Sequence, residues 1–297
     1  NSYLKPYNLF FPVDISTASR ATIGGMTANN SCGGRSIRYG IMVDNVHSID
    51  AFLINGQHAR FADTPSDLNL VKGTEHYRVL VSSVREIANR EKSQLDSFFP
   101  KIKRRVGGYN LDTIDPRGHN MAKLLVGSEG TLATFKNIEL NLQEIPKQRV
   151  IGVCHFPTFY SAMDAAQHLV KLDPIGVELI DRTMIELARN IPIFKPTVDS
   201  FVKGEPDAVL LVEFSGEELG PLKNKLKELD TVMSDLGYPN AIIEAIDPVF
   251  QSKITEVRQQ GLNIMMSMRT SGKPVSFIED CAVPLENLAE YTDRLTE

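Results

Sequence analysis

The sequence has few cysteines, and its three are widely spaced. Cys32, Cys154 and Cys281 lie too far apart along the chain for the metal-ligand or redox pairs that short cysteine spacings indicate. A disulfide framework is not expected either, which favours a reducing, cytoplasmic compartment. No apolar run approaches the ~20 residues needed to cross a bilayer, and no basic-then-apolar signal segment opens the chain. A position peripheral to the inner membrane stays open.

An excess of positive charge is also missing, because the formal net charge is −5. Nucleic-acid binders usually carry a basic face, so a nucleic-acid partner is not expected. A dense basic run over residues 101–105 is either a solvated surface segment or a contact for an acidic partner or an anion. The six histidines show no H-x-x-x-H or similar spacing. We interpret each as a surface or structural residue, and no metal site is predicted.

Glycine is concentrated in a first segment, residues 22–34, with the sequence TIGGMTANNSCGG. Glycines let backbone N–H groups approach an anion closely, and such concavities bind phosphates. The Ser, Thr and Asn side chains add neutral donors that suit a pyrophosphate. The segment is neither a G-x-G-x-x-G fingerprint nor a P-loop. The alternative interpretation is a purely structural turn.

A second glycine segment, residues 124–132, has the sequence LLVGSEGTL. A helix-like run over 119–125 enters a tight turn, and a strand predicted over 131–142 leaves it. Ser128 does not fit a hydrolase nucleophile, because the nucleophile elbow needs glycine two residues before the serine and Val126 stands there. The alternative here is a β-turn with Ser128 as a cap.

The remaining pattern predicts an α+β protein of two domains, 1–146 and 147–297. In the first, Asn55-Gly56 joins two apolar runs and predicts a hairpin, because both residues tolerate positive φ. Helical spacing after Thr74 predicts a helical insertion over about 63–120. In the second, two β-α-β units predict a split, ferredoxin-like sandwich, with strands at 150–156, 175–180, 208–214 and 241–246, helices at 158–172, 184–190, 217–236 and 248–266, and a last strand at 275–283.

Together the two glycine segments resemble the vanillyl-alcohol-oxidase-type (PCMH-type) FAD-binding superfamily. Residues 21–40 are similar to its central flavin loop, and residues 126–132 to its later flavin-contacting turn. The chain is most similar to the large bacterial FAD and iron–sulfur dehydrogenases of the D-2-hydroxyglutarate and D-lactate group, through residues 10–14, 105–110 and 277–284. The resemblance covers essentially the whole chain.

The resemblance implies a partial PCMH-type FAD-binding α+β domain with a helical insertion, followed by a truncated ferredoxin-like cap domain that binds substrate. It implies FAD as the cofactor of the intact protein, with any iron–sulfur cluster outside this chain. The cofactor contacts that it implies are Thr22, Gly24, Gly25, Asn29, Cys32, Gly33, Tyr39, Gly127, Ser128, Glu129, Gly130 and Thr131.

The substrate contact that the resemblance implies is Arg258, on the helix before the last cap strand. A guanidinium fork pairs bidentately with a planar carboxylate, so the residue type suits a 2-hydroxy acid. The alternative is an exposed helix arginine paired with Glu or Asp. Arg269 is a weaker substitute for the same role.

Several parts of the family pattern are not in this sequence. These are the Pro-x-Gly-Gly-x-Thr pyrophosphate loop, the histidine-containing catalytic segment and the iron–sulfur cysteines. The chain also starts without Met and stops within an amphipathic pattern. We therefore interpret it as a fragment whose catalytic residues are expected after Glu297. We expect it to be inactive alone, to hold FAD poorly and to have a mobile segment at 22–34.

The activity that the resemblance implies is oxidation of a small-molecule D-2-hydroxy acid to the 2-oxo acid, with hydride transfer to the flavin. The electron acceptor is not identified, and a homo-oligomer stays open. Two other functions remain. One is a reductase of the same superfamily that uses a nicotinamide donor, and the other is a non-catalytic ligand-binding or assembly module.

Overall fold

A computed structural model describes residues 1–261, 264 and 281–296. The chain divides into two compact units, residues 1–145 and 146–297. Helices and strands occur in both, which confirms the α+β class. The predicted end of helix 248–266, most of the predicted strand 275–283 and Arg269 lie outside the described residues. None of the helices in the described part has the length and apolar character required to span a bilayer.

Unit 1 is built on an antiparallel three-stranded sheet in the order β3-β2-β6 and two short strand pairs, β1-β7 and β4-β5. Its strands are β1 (Leu9–Phe10), β2 (Val46–Phe52), β3 (His58–Phe61), β4 (Asp63–Pro65), β5 (Gly118–Asn120), β6 (Thr134–Leu140) and β7 (Gln143–Glu144). Its helices are α1 (Ile23–Asn29), α2 (Ser36–Tyr39), α3 (Met42–Asn45), α4 (Glu75–Arg90), α5 (Lys92–Phe98) and α6 (Ala122–Leu125).

The predicted hairpin is confirmed, since β2 and β3 pair antiparallel with Phe52 opposite His58. The expected reason was partly wrong. Gly56 has a φ of 79°, but Asn55 does not adopt a positive φ. Its side-chain oxygen instead accepts a bond from the Gln57 N–H at 3.0 Å. Asparagine therefore fixes this turn through its side chain, and glycine alone supplies the left-handed residue.

The predicted helical insertion is present, and it is closed at its base by β4 and β5. Thr64 pairs with His119 between these strands. The predicted helix-like run at 119–125 is wrong at its start, because residues 118–120 form β5 and the helix begins at Ala122. Arg85, on α4, is buried and donates to the carbonyls of Pro65 at 2.6 Å and Ser66 at 3.0 Å. Both terminal nitrogens of a buried guanidinium thus bond backbone carbonyls and tie α4 to the base.

Unit 2 contains an antiparallel sheet in the order β11-β8-β10-β9, the order of a ferredoxin-like split βαβ fold. Strands 150–156 and 208–214 were predicted to share one sheet, and their pairing from Val150–Phe214 to Phe156–Ala208 confirms it. Its strands are β8 (Gln148–Phe156), β9 (Gly176–Asp181), β10 (Ala208–Gly216) and β11 (Ile242–Ala245). Its described helices are α7 (Phe159–Leu169), α8 (Arg182–Arg189), α9 (Lys195–Phe201), α10 (Leu219–Asp235), α11 (Pro248–Gln259) and α12 (Leu288–Thr296).

Helices cover both faces of this sheet, which explains the continuous apolar run of β10. Leu210 and Val212 pack on one face in a core shared with α7 and α10. Val209 and Leu211 pack on the other face in a core shared with α8, α9 and α11. Successive residues of a strand point to opposite faces, so a strand covered on both sides is apolar throughout.

Candidate functional site

The sequence predicted a loop for the first glycine segment. The structure instead contains the short helix α1 there. Thr22 caps the helix, since its hydroxyl accepts a bond from the Gly25 N–H at 3.0 Å. Met26 and Thr27 are buried on its inner side. The helix ends at Asn30, which adopts a left-handed conformation with a φ of 56°. A threonine cap and buried side chains therefore outweigh the low helix propensity of two adjacent glycines.

The second glycine segment is a tight turn over residues 127–131. Gly127, Glu129 and Gly130 have φ values of 81°, 49° and 74°. The Thr131 hydroxyl donates to the Ser128 carbonyl at 2.5 Å. Three left-handed residues reverse the chain within a few positions.

These two segments meet although about a hundred residues separate them. The Gly127 N–H donates to the Thr27 carbonyl at 2.9 Å, and the Glu129 N–H donates to the Ala28 carbonyl at 3.0 Å. The Asn29 side chain donates to the Glu129 carboxylate at 3.0 Å. The last carbonyls of a helix have no partner within it. The turn satisfies these carbonyls and is thereby held against α1. We call the contact between α1 and residues 127–131 the junction.

A third segment, residues 104–110, joins the junction. The hydroxyls of Tyr109 and Thr131 are 2.8 Å apart, and the Asn110 amide donates to the Val126 carbonyl at 2.8 Å. Arg104 donates to the sulfur of Cys32 at 3.1 Å. The basic run therefore reaches the first glycine segment.

The surface of the junction is polar and open. Asn29, Glu129, Gly130 and Thr131 are all exposed. A Cβ atom at Gly24 would meet no other atom within 4 Å, and Gly24 lies inside α1, where alanine would favour the helix by ~1 kcal/mol. Packing within unit 1 therefore does not require glycine there, whereas a ligand close to the backbone would.

Two buried polar groups near the junction lack partners among the described residues. They are the Ser128 hydroxyl and the Asn30 amide nitrogen; the Asn30 side-chain oxygen accepts from the Val43 N–H at 3.0 Å. A buried polar group without a partner costs about 1–3 kcal/mol. Together with the open backbone at Gly24, these groups fit a ligand rich in donors and acceptors, as the ribityl and diphosphate parts of FAD are.

Gly33 and Tyr39 have structural explanations of their own. A Cβ atom at Gly33 would lie 2.3 Å from the Asp14 carbonyl oxygen, so close packing requires glycine there. The Tyr39 ring packs edge-on against Phe10 at 5.6 Å, and its carbonyl accepts from the Asn45 amide at 2.9 Å. As cofactor contacts, both residues stay predictions from the resemblance.

Arg258 lies on α11 and forms an ion pair with Glu178 of β9. This is the pairing that the alternative interpretation expected. The arginine is nevertheless not on the solvent side of the helix, because it shares a stripe with buried Gln251 and Ile254. Residues at i, i+3 and i+7 lie on one helical face. The guanidinium therefore stands where the apolar layer between α11 and the sheet ends.

The rings of the two buried histidines contact backbone groups. His119 bonds the Asp115 carbonyl at 2.8 Å, and His155 bonds the Ala241 carbonyl at 2.9 Å and faces the Lys203 N–H at 3.1 Å. Burial lowers the pKa of both below the usual histidine value. Within residues 1–261, 264 and 281–296, no cluster of His, Cys, Asp or Glu has the arrangement of a metal site.

Five residues whose side chains take part in these sites were not among the predicted contacts: Asn30, Arg104, Tyr109, Asn110 and Glu178. Tyr109 lies in a segment that already carried the resemblance, so its motif could have indicated it. Asn30 follows another asparagine, and only the helix end at Asn29 distinguishes the two. The contacts of Arg104 and Glu178 join residues 72 and 80 positions apart, and no local pattern predicts them.

Comparison with protein families gives two matches. A model of FAD linked oxidases, C-terminal domain, matches residues 145–297. A model of an FAD binding domain matches residues 1–62. The first match covers more than half of the chain, and the second contains the whole of α1.

The chain is also similar to curated proteins along nearly its full length. It is 29% identical to the D-2-hydroxyglutarate dehydrogenase of Pantoea ananatis, in an alignment that covers 98% of this chain and 30% of that protein. It is 27% identical to the mitochondrial D-lactate dehydrogenase [cytochrome] of Arabidopsis thaliana, covering 99% of this chain and 41% of that one. The chain thus spans about a third of the length of these relatives.

Among solved structures, an alkyldihydroxyacetonephosphate synthase superposes with a TM-score of 0.57 at 15% identity. The superposition covers 89% of this chain and 40% of the synthase. Identity at this level shows a shared fold and carries no argument about the reaction.

Proposed function

The chain belongs to the FAD linked oxidases, and on that premise we propose that the intact protein oxidises a D-2-hydroxy acid to the 2-oxo acid. The substrate class is of the D-2-hydroxyglutarate or D-lactate type, after the printed names of the relatives. The observation that carries the proposal is the junction, where α1, the turn 127–131 and Tyr109 meet through hydrogen bonds.

FAD, when bound, supplies the hydride acceptor for this oxidation. The chain's own residues supply the surface. Gly24 and Gly25 let the diphosphate approach the backbone of α1 closely, and the space beside Gly24 is open. Ser128 and Asn30 offer the buried hydroxyl and amide that lack a partner among the described residues. Thr22, Asn29, Cys32 and residues 129–131 complete the proposed contacts.

In unit 2 we propose that Arg258 anchors the substrate carboxylate. Its guanidinium is positioned at the edge of an apolar layer, where a carboxylate would be partly shielded from water and the charge-assisted bond strengthened. The proposed partner is therefore a small 2-hydroxy acid. The cytoplasm is the proposed compartment, supported by the wide spacing of the cysteines; no disulfide links the three, all of which are described.

The test is turnover by the full-length protein with an artificial electron acceptor. D-2-Hydroxyglutarate and D-lactate are compared with their L-enantiomers and with a nicotinamide donor. We expect bound flavin in the absorbance spectrum and turnover of one D-acid. Reduction by the nicotinamide without D-acid turnover would make the protein a reductase, and a colourless protein would make it a binding or assembly module.

Arg258→Ala should raise KM for the acid and lower kcat while leaving flavin content unchanged. Loss of the charged partner of a partly shielded carboxylate should cost about 1.5–3 kcal/mol, the range of hydrogen bonds to charged groups. Arg182→Ala is the matched control, because Arg182 is a half-exposed arginine of the same unit that pairs with Asp207. Equal kinetics for the two variants would assign Arg258 to an ordinary ion pair.

A further inference from the structure

Glu178 is a carboxylate on an otherwise apolar strand face. It lies on β9 two residues before Ile180, which is buried in the core between the sheet and α11. Two residues along a strand return to the same face, so Glu178 is directed toward α11. Its side chain is 26% exposed, which places the carboxylate at the edge of that core.

The contact between Glu178 and Arg258 uses one terminal nitrogen of the guanidinium. Within the part of the chain that the structure describes, Glu178 is the partner found for this guanidinium. The planar group carries five N–H donors in a rigid fork. A contact at one nitrogen therefore restrains the position of the guanidinium and leaves further donors for a second carboxylate.

Helix α11 does not depend on Glu178 for its position. The Gln251 amide donates to the carbonyls of Arg149 at 2.7 Å and Ile246 at 2.9 Å. Ile254 and Val257 are buried against the sheet. These contacts fix the helix backbone along two turns, so the ion pair constrains the arginine side chain rather than the helix.

We infer that Glu178 is a positioning residue that orients the Arg258 guanidinium toward the carboxylate of a 2-hydroxy acid. The inference rests on the proposed role of Arg258. Arginine has several rotatable bonds, and an oriented fork loses less freedom when it binds. A substrate carboxylate then binds an arginine that is already in place.

The experiment compares Glu178→Ala and Glu178→Gln in the full-length, flavin-loaded protein. Alanine removes the acceptor, so KM for the preferred D-2-hydroxy acid should rise about tenfold while kcat changes less; a tenfold change corresponds to 1.4 kcal/mol. Glutamine keeps a side-chain oxygen that can accept from the guanidinium, so it should restore most of the affinity. Dissociation constants of the 2-oxo product, followed by flavin absorbance, should change in the same order.

Asp207→Asn is the matched control, since Asp207 pairs with Arg182 in the same unit. It should leave KM unchanged while thermal unfolding reports on folding in all variants. If Arg258→Ala raises KM but neither Glu178 variant does, Glu178 does not position the arginine. If both Glu178 variants lower KM, Glu178 competes with substrate, and the inference is overturned. If Arg258→Ala itself leaves KM unchanged, the proposed role of Arg258 fails instead.

Discussion

At the scale of single residues, Gly127 and Gly130 provide a matched pair in the turn 127–131. Both have positive φ, at 81° and 74°. A Cβ atom at Gly127 would lie 3.2 Å from Cβ of Asn30 and 3.4 Å from the Gly108 carbonyl, while at Gly130 it would meet nothing within 4 Å. Of these two glycines, only Gly127 combines a positive φ with a position where an added Cβ atom would be crowded.

Gly130→Ala should lower the free energy of unfolding by about 1–2 kcal/mol, the cost of a left-handed alanine. Gly127→Ala should cost about 2–4 kcal/mol, because crowding adds to that strain and disturbs the bond to Thr27. Denaturant unfolding followed by circular dichroism measures both values. Equal costs for the two variants would indicate that the neighbours of Gly127 move to accommodate a Cβ atom. The junction would then be less rigid than its hydrogen bonds suggest.

His155 should make unit 2 less stable in mild acid. Burial, and then the positive charge of Lys203, lower its pKa from the usual 6.5, against the opposing effect of its bonds to backbone carbonyls. A proton on Nε2 would also face the Lys203 N–H, which now donates to that atom. The unfolded chain takes up the proton at higher pH than the folded one. The contribution of neutral His155 to the stability of unit 2 is therefore fully present above pH 6.5. It declines as the pH falls through and below that value.

Melting temperatures between pH 7.5 and 5.0 test this sign. His155→Gln should have a lower melting temperature at pH 7.5 and a shallower decline toward acid. Some decline should remain, because burial also lowers the pKa of His119. His76→Gln, at an exposed position, should follow the wild-type curve. A wild-type melting temperature that rises toward acid would contradict the assignment.

At the scale of elements, Arg85 decides how α4 is attached. It is buried and bonds the carbonyls of Pro65 and Ser66 and the Thr64 hydroxyl. Arg85→Ala should cost about 2–4 kcal/mol in unfolding free energy, because it removes three charge-assisted hydrogen bonds of a buried side chain. Arg90→Ala on the same helix should cost less than about 1 kcal/mol, since Arg90 is exposed and pairs only with Glu91 among the described residues. Similar costs for the two variants would mean that water can replace the hydrogen bonds of the Arg85 guanidinium.

Elements with strong periodicity were predictable from the sequence, and elements built by distant contacts were not. Apolar runs predicted the strands around 150–156 and 208–214, and the helical spacing of apolar residues after Thr74 predicted α4. Helix α1 was predicted as a loop, because its stability comes from the cap, from burial of Met26 and from the turn that bonds its end. The strand pair β4-β5 is too short for any pattern and exists through contacts across the insertion.

In the candidate site, too, some residues could be predicted from the sequence, whereas the contacts between them could not. Motif residues such as Gly127 and Ser128 could be singled out because each lies in a compact, recognisable segment. Which of them touch could not be predicted, since the Asn29–Glu129 bond joins residues a hundred positions apart. Glu178 could not be found, because one carboxylate in a strand carries no signal until the fold places Arg258 beside it.

At the scale of the whole molecule, each unit contains its own hydrophobic core. The core of unit 1 involves residues up to Leu142, while both cores of unit 2 begin at Val150 and Ile151. A four-stranded ferredoxin-like sheet with helices on both faces should fold without its neighbour.

Residues 146–297 expressed alone should therefore unfold in one cooperative transition and keep the acid response of His155. Chemical denaturation followed by near- and far-ultraviolet circular dichroism measures both. Residues 1–145 expressed alone provide the comparison. Retained far-ultraviolet but lost near-ultraviolet signal in 146–297 would reveal a molten globule and show that its core is incomplete.

The strand pair β4-β5 makes sequence distance a poor guide to this site. The helical insertion of unit 1 begins after Pro65 and ends before Gly118, and these two residues are paired neighbours. Loops between them that contribute nothing to the core of unit 1 can therefore lengthen or shorten without separating α1 from the turn 127–131, provided that the returning stretch still brings Tyr109 to Thr131. A search for related sites that fixes the interval between the two glycine segments would reject true members. A search that leaves this interval free, and asks only for the two segments and a tyrosine shortly before the second, would retain them.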